Sequence, residues 1–145
     1  MTIRRSKKLL ENYVCPQCFR QINKCICEYY PPVQLIYIDI NMQDIIIKLN
    51  DKGYKTRSCC ESHIGENKQP NMYISFAWKY NEIDIDNLPE GFKWIKGDLA
   101  VEFTIPSRIS DEDAEKIKFE KLQLLSDWAD SLPAGATSKY SIEKH

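Results

Sequence analysis

Four cysteines fall within thirteen residues, Cys15-Pro-Gln-Cys18 and then Cys25-Ile-Cys27. A C-x2-C pair sets two thiolates on one side of an ion, and a C-x-C pair can supply two more across a tight turn. The six residues between the pairs, FRQINK, are long enough to bring them together. Four soft ligands in a closed tetrahedron predict a structural zinc knuckle at Cys15, Cys18, Cys25 and Cys27. The flanking Arg20 and Lys24 would offset the charge of four thiolates on one dication. Such a centre contributes on the order of 10–16 kcal/mol of binding energy to a segment with little core of its own. An iron–sulfur cluster or two disulfides would use the same residues, but nothing else in the chain suggests electron transfer.

The remaining length supports one domain behind that knuckle. A chain of 145 residues buries about two-thirds of its unfolded surface, so its main core needs no disulfide. No apolar run reaches the roughly 18 residues of a membrane span, and the start, MTIRRSKKLLENY, lacks the apolar stretch of a signal peptide. A cytoplasmic location is therefore expected, with no membrane partner. In a reducing compartment six cysteines read as metal ligands or reactive thiols before they read as disulfides.

Residues 33–40, VQLIYIDI, are β-branched and aromatic and predict a buried strand. Asn41 or Asp44 can cap the next element, where Ile45, Ile46, Leu49 and a closing Gly53 fit a helix of about ten residues. Strands are expected at 54–60 and 72–78, separated by a polar loop, ESHIGENKQPN, at 61–71. Two more, at 92–95 and 99–105, flank Lys96-Gly97-Asp98 as a hairpin. Ser110 caps a final helix carrying Ala114, Ile117, Leu124, Leu125, Trp128 and Leu132, ended by Pro133 and Gly135. The fold class is α+β, a mostly antiparallel sheet with two helices, preceded by the small zinc knuckle. The expected division is a basic N-terminus and knuckle at 1–32, an α+β domain at 33–133 and a mobile tail at 134–145.

Cys59, Cys60 and His63 form a second group, read as the junction of a strand and a loop. Neighbouring strand residues point to opposite faces, so one cysteine faces the core while the other could share a point with His63. Three readings stand: structural residues, a metal half-site completed by Asp39, Glu61 or Glu66, or a catalytic thiol activated by His63. Metal content is thus one structural zinc, with a second site open to this loop.

The segment Cys15–Cys27 is similar to the knuckle that opens the DTW family of tRNA aminocarboxypropyl transferases. The acid–Thr–Trp signature of that family is absent, since Ser126-Asp-Trp-Ala129 lacks the threonine. The run GYKTRSCCESHIG followed by MYISF resembles small uncharacterised proteins of low-GC Gram-positive bacteria and their phages. Those carry a GYKT-x2-CC-x-GH segment, sometimes behind an N-terminal cysteine knuckle; Ser62 stands here in place of their glycine. Residues 56–63 are also similar to the T-S-S-C-S-G-R segment of one class of wybutosine-synthesis methyltransferases. That resemblance implies an S-adenosylmethionine pocket, for which no glycine-rich loop is present.

A net charge of −1 hides a polar distribution. Residues 1–27 hold Arg4, Arg5, Lys7, Lys8, Arg20 and Lys24 against Glu11 alone, whereas residues 81–115 hold ten acids against three bases. The six basic residues are candidates for contact with phosphates, and the acidic 81–115 surface for a protein partner. Tyr29, Tyr30, Tyr37, Tyr54, Tyr73, Phe76, Trp78 and Tyr80 are either core or a base-stacking platform. The leading expectation is a zinc-stabilised binding protein, a phage or mobile-element regulator or host-defence inhibitor engaging a nucleic acid or nucleoprotein. The alternative is a small nucleotide- or RNA-modifying enzyme using the Cys59/Cys60/His63 loop.

Overall fold

Apolar residues alternating with polar ones build a four-stranded antiparallel sheet, and two amphipathic helices cover it. A computed structural model describes residues 11–21, 23–27, 35–65, 69–77 and 86–133. The elements run β1 (Tyr13–Val14), β2 (Ile36–Tyr37), a 3-10 turn (Ile40–Met42), α1 (Gln43–Asp51), β3 (Thr56–His63) and β4 (Gln69–Phe76). There follow β5 (Lys93–Ile95), a second 3-10 turn (Lys96–Asp98), β6 (Ala100–Thr104) and α2 (Asp111–Ser131). The main sheet has the order β3-β4-β6-β5, and β1 pairs with β2 in a separate two-stranded sheet. This is the expected α+β fold.

Three local expectations change. Among the described residues 35–40, the expected buried strand of 33–40 is reduced to Ile36–Tyr37, which is exposed and pairs with the knuckle strand β1 rather than with the main sheet. Residues 33 and 34 lie outside the described residues. Neither Asn41 nor Asp44 caps α1, which is entered instead through the 3-10 turn with no side-chain cap. Finally, the polar segment 61–71 is largely strand: β3 runs on to His63 and β4 starts at Gln69. The backbone ladder satisfies those polar residues' N–H and C=O groups whatever the side chains are.

Other elements follow the sequence closely. The hairpin turns at Lys96–Asp98, with Leu99 left-handed at φ 50°. Ser110 Oγ accepts from the Asp113 N–H at 3.0 Å, and Asp111, Glu112 and Asp113 complement the positive end of α2. That placement gives three of the acids in 81–115 a structural reason. Helix α1 closes through Gly53, at φ 94°, with Tyr54 N–H donating to Leu49 O at 2.9 Å. Ile45, Ile46 and Leu49 of α1 meet Leu122, Leu125, Trp128 and Ala129 of α2 above Met72, Ile74, Phe76 and Val101 of the sheet. Tyr54 and Phe76 lie in this core, which removes them from a stacking platform.

The basic residues 4–8, Glu66, Tyr29, Tyr30, Trp78, Tyr80 and the tail 134–145 lie outside the described residues. No helix among the described residues is long and apolar enough to cross a membrane.

Candidate metal centres

The knuckle is shaped by backbone bonds that converge on sulfur. Gln17 and Cys18 N–H groups donate to Cys15 Sγ at 3.3 and 3.4 Å, and Cys27 N–H donates to Cys25 Sγ at 3.3 Å. The chain reverses at Phe19, held left-handed at φ 63°, and Phe19 N–H donates to Cys15 O at 2.8 Å. One sulfur from each of Cys15, Cys18, Cys25 and Cys27 then lies within 4.8 Å of the others, so the four can hold a metal ion.

Electrostatics at the cluster favour a cation. Burial pushes the Cys18 thiol up, but the Arg20 backbone and the three neighbouring thiols outweigh it and bring Cys18 down to about 7. Cys27 is pushed up to about 12 by desolvation and by the Cys18 and Cys25 sulfurs. Cys25 is raised as well, although the Cys27 N–H favours its thiolate, because burial and the Cys15 and Cys18 sulfurs oppose a second charge. Without a cation the cluster ionises readily once and then resists. A divalent ion removes that resistance.

The knuckle is anchored to the body at three points. Val14 is fully buried in the main core. Arg20 reaches Asp51 at the end of α1 at 3.2 Å, and Gln43 joins Gln21, Glu11 O and Ile38 O. Arg20, a candidate for phosphate contact, is therefore engaged within the protein, whereas Lys24 is exposed.

The second group assembles where β3 and β4 lose register. Pairing passes from Glu61 opposite Met72 to His63 opposite Gln69, leaving Pro70 and Asn71 across from Ser62. Proline cannot donate to the ladder, which suits it to such an irregularity. Ser62 is fully buried at φ 76°, and its hydroxyl donates to Gln69 O at 2.8 Å. A positive φ is the backbone state that favours glycine, so Ser62 holds it at a cost.

Plain alternation would put Cys60 and His63 on opposite faces. The irregularity instead brings Cys60, His63 and Asp39 together, with ligand atoms within 4.8 Å of one another. Asp39, just ahead of the 3-10 turn, is held by the Glu61 N–H at 3.1 Å and faces His63 Nε2 at 3.2 Å. Cys59 is not part of the group and packs against the core. Burial, Asp39, Cys60 and Glu61 push its thiol up to about 12. Cys60 is raised too, by burial and by Asp39 and Glu61, against the opposing Ser62 N–H and Lys118.

Beside the group lies Glu61, paired with Lys118 Nζ at 2.6 Å and accepting from Asn41 through both backbone and side chain. Burial pushes the Glu61 carboxyl up, yet Lys118 and Asn41 prevail and hold it below its usual range. Sequence pattern alone does not single out Lys118 as part of this neighbourhood. Its signal is a charged residue four places from both Ala114 and Leu122, on the buried stripe of α2. His63 also lines a cleft of about 310 Å³ with Ser62, Ile64, Pro70, Ile105 and Arg108.

Comparison with protein-family models, with curated proteins and with solved structures finds no match to this chain.

Proposed function

We propose that the protein is a zinc-stabilised binding protein whose knuckle side engages single-stranded nucleic acid, alone or within a nucleoprotein. Zinc is the metal best suited to four thiolates in a closed set, being soft enough for sulfur and content with a tetrahedron. The observation that carries the reading is the Tyr13–Tyr37 pair. The two rings meet edge to face across β1 and β2 at 5.5 Å, and Tyr37 is 54% exposed. Exposed aromatic rings beside cationic chain are how sequence-tolerant single-strand binders hold bases and phosphates. Here Arg4, Arg5, Lys7 and Lys8 stand five to nine residues before Tyr13 in the sequence, and Ile26, between two knuckle cysteines, is 93% exposed. The resemblance to phage proteins adds a setting: a regulator or host-defence inhibitor of a mobile element.

Fluorescence anisotropy with a labelled single-stranded oligonucleotide tests this across a salt series. Replacing Tyr13 and Tyr37 by Ala should weaken binding by about 1–3 kcal/mol per lost stack with the salt slope unchanged. Charge reversal at Arg4, Arg5, Lys7 and Lys8 should flatten the slope by about 0.7 for each phosphate no longer neutralised. Affinity indifferent to both changes sinks the reading.

The enzyme alternative draws on the cleft beside His63. A nucleophilic Cys60 is the weaker form of it, because burial and two carboxylates oppose the thiolate that attack requires.

A further inference from the structure

We propose that Asp39, Cys60 and His63 form a second metal site, open on one side, that takes a zinc-type divalent cation. The inference does not rest on nucleic-acid binding, although Asp39 lies beside Tyr37, whose hydroxyl is pushed up by burial, Asp39 and Glu61.

Three observations carry it. The first is the donor set. One carboxylate oxygen, one sulfur and one imidazole nitrogen, from three positions separated in sequence, come within 4.8 Å of one another. In a tetrahedral zinc site with bonds of about 2.0–2.3 Å, ligand atoms stand roughly 3.3–3.6 Å apart. Asp39 Oδ2 and His63 Nε2, at 3.2 Å, already have that spacing. Cys60 Sγ lies within 4.8 Å of both.

The second observation is charge. The Asp39 side chain is only 7% exposed, and the cation that neutralises neighbouring Glu61 is Lys118, not shared with Asp39. Among the ion pairs of the described residues, the partner of Asp39 is His63, which is charged only when protonated. Burying a carboxylate without a fixed counter-charge is costly, and a divalent ion bound by Asp39, Cys60 and neutral His63 supplies one. The nitrogen now facing Asp39 would then coordinate the ion.

The third is access. Structural zinc sites close with four protein ligands, while sites with three keep a position for water or a small ligand. His63, the exposed member at 46%, also lines the cleft of about 310 Å³. Ile64, Pro70 and Ile105 give it apolar walls, and Arg108 and Asp111 also line it. A small ligand with a metal-seeking oxygen or nitrogen and an apolar body fits that surface. Local backbone agrees, since the positive φ of Ser62 and the slipped register are what turn His63 toward Cys60.

The test uses the full chain with its knuckle loaded. Equilibrium dialysis at low-micromolar free Zn²⁺, read by elemental mass spectrometry, should give two equivalents for wild type and one for His63→Ala. His63 is half exposed, so this variant should keep the wild-type circular dichroism. Cys60→Ala serves as the second variant. One equivalent in all three proteins overturns the site. Co²⁺ loading then tests its openness. Adding azide should shift the visible bands of wild type and leave those of His63→Ala, which retains only knuckle cobalt, unchanged. Two equivalents with bands indifferent to azide would mean a closed site and overturn the open position.

Discussion

Glu61 Oε2 lies 2.6 Å from Lys118 Nζ, with the two side chains only 7% and 11% exposed. The pair ties β3 to α2 next to the Asp39–Cys60–His63 group. Removing one partner leaves a buried charge uncompensated. Lys118→Ala is expected to cost about 3–5 kcal/mol in urea denaturation, and Glu61→Gln/Lys118→Gln to recover much of that. Single Glu61→Gln and Lys118→Gln losses that simply add in the double variant would show that the pair is not coupled.

Ser62 sets two costs against each other. Its left-handed backbone costs about 1–3 kcal/mol, while its hydroxyl bond to Gln69 O returns part of that. Ser62→Gly relieves the strain and loses the bond, so its stability should fall within about 1 kcal/mol of wild type. Ser62→Ala loses the bond and keeps the strain, and should be the less stable of the two by about 1–2 kcal/mol. Thermal melts of both variants decide the order.

Lys52 caps the far helix. Its ammonium donates to Ala129 O, Asp130 O and Leu132 O at 2.8, 2.7 and 2.7 Å, at the negative end of α2. Lys52→Met keeps the aliphatic stem and removes these bonds. A loss of about 1.5–3 kcal/mol is expected, with amide exchange fastest at 128–132. Unchanged exchange there would contradict the capping role.

Removal of metal from the knuckle should act locally first. The main core is built chiefly from α1, α2 and the four-stranded sheet, so it should outlast chelation, while residues 11–27 lose most of what orders them. Trypsin should then cut after Arg20, no longer held at Asp51, and after Lys24, before it cuts within 43–131. Simultaneous cleavage throughout would mean that the knuckle and body unfold as one unit.

Much of this architecture was legible because its causes are local. The Ser110 cap, the hairpin at Lys96–Asp98 and the gathering of four cysteines depend on residues close in the chain. Helix α2 was legible as a helix, but the role of Lys118 was not, because its reason lies on β3. For the same reason residues 33–40 misled. Their β-branched composition states that they can be extended, not which strand will pair with them.

The sequence by itself therefore determined the α+β class, the two helices and the closed cysteine cluster, since short-range spacing and periodicity carry that information. Only the tertiary structure decided that Cys60 rather than Cys59 joins His63, that Asp39 completes the group and that Lys118 neutralises Glu61. The physical reason is a slip of strand register at Ser62. It rotates one side chain relative to simple alternation, and it arises from pairing between strands, which no local pattern in either strand records.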